Sequence, residues 1–107
     1  MRASFGASHS LAARSLEILG GVWSILILAE ALAGTTRFDR FQKRLGISPA
    51  TLARRLNGLV DAGLLARRRY YQHPPRDEYV LTPRGRDFGA VIQALLDWAA
   101  RHLAPAR

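Results

Sequence analysis

The sequence predicts a mainly α fold carrying one small antiparallel β-hairpin, an α+β arrangement, and three observations predict it. Apolar residues recur at helical spacing through most of the chain. Two β-prone runs, LLARRRYY and EYVLT, stand on either side of QHPPRD. Paired cap-and-proline starts, Ser48-Pro49 and Thr82-Pro83, mark helices before and after that hairpin.

Taken in order, MRASFGASHS is small and polar with no apolar stretch of its own, so residues 1–9 read as a loose arm and not a signal peptide. One domain is expected over residues 10–103, with residues 104–107 as a tail. Its core is thin for a stable monomer, which leaves room for oligomerisation. In SLAARSLEILGG, Leu11, Leu16 and Leu19 with Ser10 as N-cap predict a short helix stopped by Gly20-Gly21. Residues 22–33 are apolar nearly all round, as in a helix surrounded by other elements or shared with a second subunit. After Gly34, TTRF suits a short extended strand. Phe38, Phe41 and Leu45 then fall on one face of a helix over 38–45.

Gly46 stands where a left-handed residue ends that helix, Ile47 plugs the turn, and Ser48-Pro49 opens the next. Leu52, Leu56, Leu59 and Val60 fix the buried face of this helix, over 48–62. Opposite lie Ala50, Arg54, Asn57, Gly58 and Asp61, with Thr51 and Arg55 at the edges. Two helices joined in this way are a helix-turn-helix layout, although an ordinary αα-hairpin has the same spacing. The hairpin decides between them, because a helix-turn-helix followed by two strands is a winged helix. Pro74 and Pro75 stiffen the loop of that wing. Phe88, Val91, Ile92, Leu95, Trp98, Ala99 and Leu103 then stripe one long terminal helix starting at Thr82-Pro83.

The charge is unevenly placed. Of a formal net charge of +8, all lies between residues 36 and 86, where twelve basic residues face four acidic ones. Such asymmetry points to a polyanion, nucleic acid or an anionic membrane, flanked by a neutral scaffold. Double-stranded DNA carries about one negative charge per 1.7 Å of axis and is matched by Lys and Arg. The helix over 48–62 would enter the major groove with its N-terminal end, where Ala50 and Thr51 allow close approach beside Ser48 and Asn57. Arg54 is the candidate for reading a guanine edge and Arg55 for holding a phosphate. Arg37, Arg40, Lys43 and Arg44 are expected on phosphates from the first helix of the pair.

In the wing, over 70–78, alternation sends Arg67 and Arg69 to one face and Arg68 to the other. Arg76 at the corner is set to reach a phosphate or a narrow minor groove, or else to pair with Asp77 or Glu78 and fix the loop. Tyr70, Tyr71 and Tyr79 are expected to pack the wing against the core.

Other chemistry finds little support. The chain has no cysteine, which removes disulfides, thiolate metal sites and thiol redox sensing. His9, His73 and His102 lack metal-ligand spacing, no nucleophilic constellation stands out, and LGG and PRG are helix punctuation, so neither a catalytic site, a metal nor a cofactor is expected. The most apolar run is too short for a membrane span and contains Glu30, so a cytoplasmic protein, nucleoid-associated when bound to DNA, is expected and no membrane partner. Trp23 and Trp98 suit core or interface, and an aromatic pocket between the terminal helices is a place for a small-molecule effector.

In ARSLEILGGVWSILIL, TTRFDRFQKRLGISPATLARRLNGLVDAGLL, RRRYYQHPPRDEYVLTPRGRDF and LLDWAARH, from about residue 11 to 102, the chain resembles the HxlR-type family of bacterial winged-helix transcriptional regulators. The segments occur in family order, and LGIS with the paired arginines, PPRDEY and LTPRG are specific. The resemblance implies a homodimer built largely from the first and last helices, placing Leu11, Leu16, Leu19, Val91, Leu95, Trp98 and Leu103 at its interface. It also implies two recognition helices on an inverted or near-palindromic site of double-stranded DNA. Two departures stand out. Many members carry a reactive cysteine near the start of the first helix, where this chain has Ser10, and Gly58 sits inside the recognition helix at a cost of about 1 kcal/mol relative to Ala. The function so expected is sequence-specific transcriptional regulation. A winged-helix protein-interaction module, with a basic face that meets an acidic partner, is the alternative.

Overall fold

A computed structural model describes residues 7–19 and 21–103, with the backbone alone for residues 7–9. The order is α1 (Ala7–Leu19), α2 (Val22–Leu32), α3 (Phe38–Leu45), α4 (Pro49–Asp61), β1 (Leu65–Tyr71), β2 (Arg76–Leu81), α5 (Pro83–Asp87) and α6 (Gly89–His102). The strands pair as one antiparallel hairpin. This is the winged helix-turn-helix, mainly α with a two-stranded sheet.

The core forms where the periodic apolar positions meet. Ile27 and Leu28 of α2, Phe41 of α3, Leu52, Leu56 and Leu59 of α4, and Leu65 at the start of β1 are all but inaccessible to solvent. Each such side chain stabilises the fold by about 1.5–3 kcal/mol relative to exposure. Ile47 is buried in the turn between α3 and α4, as its apolar side chain there requires. Gly46 ends α3 at φ 65°, a left-handed conformation open to Gly without strain.

The extended segment before α3 becomes a partial third strand of the wing. Arg37 forms an antiparallel bridge with Glu78, and the Tyr79 N–H donates to the Thr36 carbonyl at 2.7 Å. The hairpin pairs Arg67 with Tyr79, Arg68 with Glu78, and Arg69 with Asp77, and then shifts register before Tyr71 meets Arg76. Arg76 and Asp77 therefore belong to β2, and the turn shortens to residues 72–75.

Three readings of the sequence require correction. α1 begins at Ala7, so Ser10 lies within the helix and is not its N-cap, and residues 7–9 of the expected arm are helical. Nothing in Ala7-Ser8-His9 breaks a helix; residues 1–6 and the tail at 104–107 lie outside the described residues. Second, the single terminal helix is two. α5 tightens at Phe88, whose N–H donates to the Gly85 carbonyl three residues back, and α6 starts afresh at Gly89. The cause is a docked turn: Thr82 caps the Gly85 N–H and donates its hydroxyl to the Gly63 carbonyl, while a Cβ on Gly85 would lie 2.0 Å from the Leu64 oxygen. The TPRG segment is thus pressed against the turn that follows α4, and the helical ladder is interrupted at Phe88 before α6 begins. Third, Leu19 is buried in the core and not on a surface open to a partner.

Candidate nucleic-acid interface

α4 is positioned by its cap. The Ser48 Oγ accepts from the Thr51 N–H at 3.3 Å and donates to the Thr51 Oγ1 at 2.9 Å, with Pro49 fixing the first turn. Leu52, Leu56 and Leu59 turn inward, which leaves Ala50, Arg54, Asn57, Gly58 and Asp61 exposed together on the opposite face. Arg54 has no ion pair among the described residues. Thr51 is half-buried beside the cap.

Arg55, expected on a phosphate, stands at the edge of this face. It is half-buried, its Nε is shielded from solvent without a hydrogen-bond partner, and it lines a hollow between α1 and α4 with Glu17, Ile18, Gly58 and Asp61. A residue at the edge of a helix face is drawn inward when a neighbouring helix packs there, and α1 does so. A Cβ added at Gly58 would have nothing within 4 Å; no contact within the chain explains it.

The wing joins this face through Arg67, which donates to the Asn57 Oδ1 and lies 5.5 Å from the centre of the Tyr79 ring. Its neighbours are committed within the hairpin. Arg68 donates to Glu78 at 2.8 and 3.0 Å, and Arg69 to Asp77 at 2.9 Å. Arg76 is exposed and unpaired among the described residues, because the two acids expected to fix it are taken by the opposite strand. Tyr79 packs against the core, but Tyr70 lies beneath Arg37, whose guanidinium is 4.2 Å from the ring centre, and Tyr71 is 54% exposed. The irregularity after Arg69 turns Tyr71 away from the core face.

On α3, Arg40 and Lys43 are exposed and free of ion pairs among the described residues. Arg44 instead holds Glu30 at 2.7 Å. That bond, before the one from Thr35, keeps the Glu30 carboxyl below its ordinary value. Arg37, Arg40 and Arg44 line a polar hollow of about 400 Å³ with Glu30, Thr35 and Thr36. Sequence reasoning missed Glu30 as the partner of Arg44, Tyr70 as that of Arg37 and Glu78 as that of Arg68. The register of the hairpin could have given Glu78 opposite Arg68, whereas Arg37 over Tyr70 joins segments too far apart for any spacing rule.

Away from the basic side, Leu11, Leu16, Val91, Leu95, Trp98 and Leu103 are exposed, as are Val22 and Leu96. The hollow between α1 and α6 is about 300 Å³, lined by Ile18, Leu19, Leu64, Phe88 and Val91 with Ser15, Arg84 and Asp87 at its polar side. Phe88 is its one aromatic residue. No single described helix is long and apolar enough to cross a membrane.

A helix-turn-helix that presents an exposed, arginine-bearing second helix beside a basic hairpin is the DNA-binding fold of a transcriptional regulator. The chain belongs to the HxlR-like helix-turn-helix family, whose pattern it matches over residues 18–107. It is 44% identical over 90 residues to Rv3095 of Mycobacterium tuberculosis H37Rv, named as an HTH-type transcriptional regulator, covering 84% of this chain and 57% of that one. To YtfH of Escherichia coli K12, named likewise, it is 38% identical over 93 residues, covering 83% and 74%. Among solved structures it is similar to PA1374 of Pseudomonas aeruginosa, assigned as a transcription factor (53% identity, TM-score 0.69, 86% of this chain and 63% of that one). It is also similar to the redox regulator HypR in its reduced form (27%, TM-score 0.77, 86% and 94%). The chain spans little more than half the length of its mycobacterial relative.

Proposed function

We propose that the chain is a sequence-specific reader of double-stranded DNA that acts as a homodimer. The carrying observation is the exposed face of α4, where small Ala50 and the capped Thr51 precede an Arg54 with no ion pair among the described residues. On this reading α4 enters the major groove, Ser48, Ala50 and Thr51 approach the bases, and Arg54 pairs with a guanine edge. Arg40 and Lys43 hold phosphates directly, with Arg37 and Arg44 beside them. Asn57 and Arg67 act as a bonded pair at the junction of helix and wing, and Arg76 reaches the flanking backbone or minor groove. Arg68 and Arg69 contribute less than their charge suggests, and Arg55 supports the α1–α4 junction.

The homodimer reading is supported by the apolar side chains that stand exposed on α1, α2 and α6, among them Leu16, Val22, Leu95 and Trp98.

The test is fluorescence anisotropy on DNA from upstream of the gene against a scrambled duplex of equal length, over a salt series. Specific binding gives a preference of about 10³-fold or more, and Arg54→Ala shrinks it. Equal binding of both duplexes with a steep salt slope would leave only a basic patch, as the protein-interaction reading requires.

A further inference from the structure

The wing is tied to the helix-turn-helix by a cluster centred on an acid. A two-stranded hairpin is at best marginally stable alone, and a tip that carries Arg76 is useful on DNA only if its angle to α4 is set. Glu78 meets two segments besides its own strand. Across the hairpin it accepts two bonds from Arg68 of β1, and its side chain is 13% exposed. In the plane of the sheet its backbone bridges that of Arg37, the residue that leads into α3. Arg37 then covers Tyr70 of β1, closing a ring that runs from β2 to β1, to the α3 entrance and back. The Glu78 carboxyl is held below its ordinary value by Arg68 first and by the Thr36 side chain next.

An acid in the middle of a basic wing works against phosphate binding by cancelling Arg68. Its placement has a physical rationale if it supplies order in return. We propose that Glu78 is the positioning residue of the wing: by binding Arg68 and standing in register with Arg37, it fixes the angle of the hairpin to α3 and α4. The wing tip and the recognition helix then meet one duplex in a single geometry. The purpose of this anchor rests on the DNA-binding reading, but the anchor itself is measurable without DNA.

The chain has no cysteine, so Gln72→Cys at the turn and Lys43→Cys on α3 give a spin-label pair with no background. Electron-electron distance measurements on the free protein should show a narrow distribution with Glu78 in place. Glu78→Gln and Glu78→Ala should both broaden it severalfold while far-ultraviolet circular dichroism keeps its helical signal. Glu78→Gln preserves shape and keeps the test open if the Ala variant unfolds. An unchanged width in the folded variants would overturn the proposal, since the Arg67–Asn57 bond, the Tyr79–Thr36 backbone bond and Arg37 over Tyr70 would then hold the wing without the carboxylate. In unlabelled protein, Glu78→Gln should weaken binding to the upstream duplex about tenfold, although it removes a negative charge. Tighter binding would also overturn the proposal, because Glu78 would then act only as a counter-charge. If the parent binds no duplex specifically but the distances respond as expected, the anchor stands and the DNA-reading function fails.

Discussion

At the scale of residues, the arginines of this surface divide by what they already hold. Arg54 and Arg76 have no ion pair among the described residues, whereas Arg44, Arg68 and Arg69 are each bound to a carboxylate. Arg76→Ala should therefore lower the salt slope of DNA binding by about 0.9, the value of one phosphate contact, with Arg68→Ala changing it far less. Arg54→Ala should reduce discrimination between native and scrambled duplexes by about 1–3 kcal/mol while leaving non-specific binding nearer the parent's. Acid should loosen the pairs. Glu30 and Glu78 both have folded values below the ordinary carboxylate range. The stability they lend is complete above the unfolded value of about 4.3 and is lost as pH falls through the lowered folded values. Thermal unfolding followed from neutral to acid pH should show this loss, and Glu30→Gln should reduce it.

At the scale of elements, α4 was legible because each part of it has a local signal: a cap, a proline at its first position and a leucine repeat that fixes the buried face. The division of α5 from α6 was not. Thr82-Pro83 announces a helix start, but the break at Phe88 comes from Gly85 seated against the Leu64 carbonyl, a contact across the fold that periodicity does not carry. The same limit applies to Arg55, whose helix position gives its direction but not the presence of α1 beside it. Glycine substitutions separate the two kinds of information. Gly85→Ala should destabilise by about 3 kcal/mol or more, because its Cβ meets fixed backbone. Gly58→Ala, with open space around it, should raise stability by about 0.5–1 kcal/mol, read as a higher Tm. If the bare backbone at Gly58 serves close approach to DNA, the stabilised variant will bind the upstream duplex less well.

At the scale of the whole molecule, the resemblance pointed to the terminal helices as the dimer contact, and the fold leaves their apolar side chains unburied. Leu19 and Ile92 are exceptions, and Leu19 turns inward where α1 meets the core. Leu95→Glu combined with Trp98→Glu should halve the mass measured by light scattering and weaken DNA binding, with the helical signal retained.

The Thr82 hydroxyl on the Gly63 carbonyl, and Gly85 pressed on Leu64, have a mechanical meaning for such a dimer. They weld the handle of a calliper to its jaw. With α5 and the end of the recognition helix held as one piece, the gap between the two jaws of the proposed dimer would be reset at the break at Phe88 or at the pivot where two chains meet.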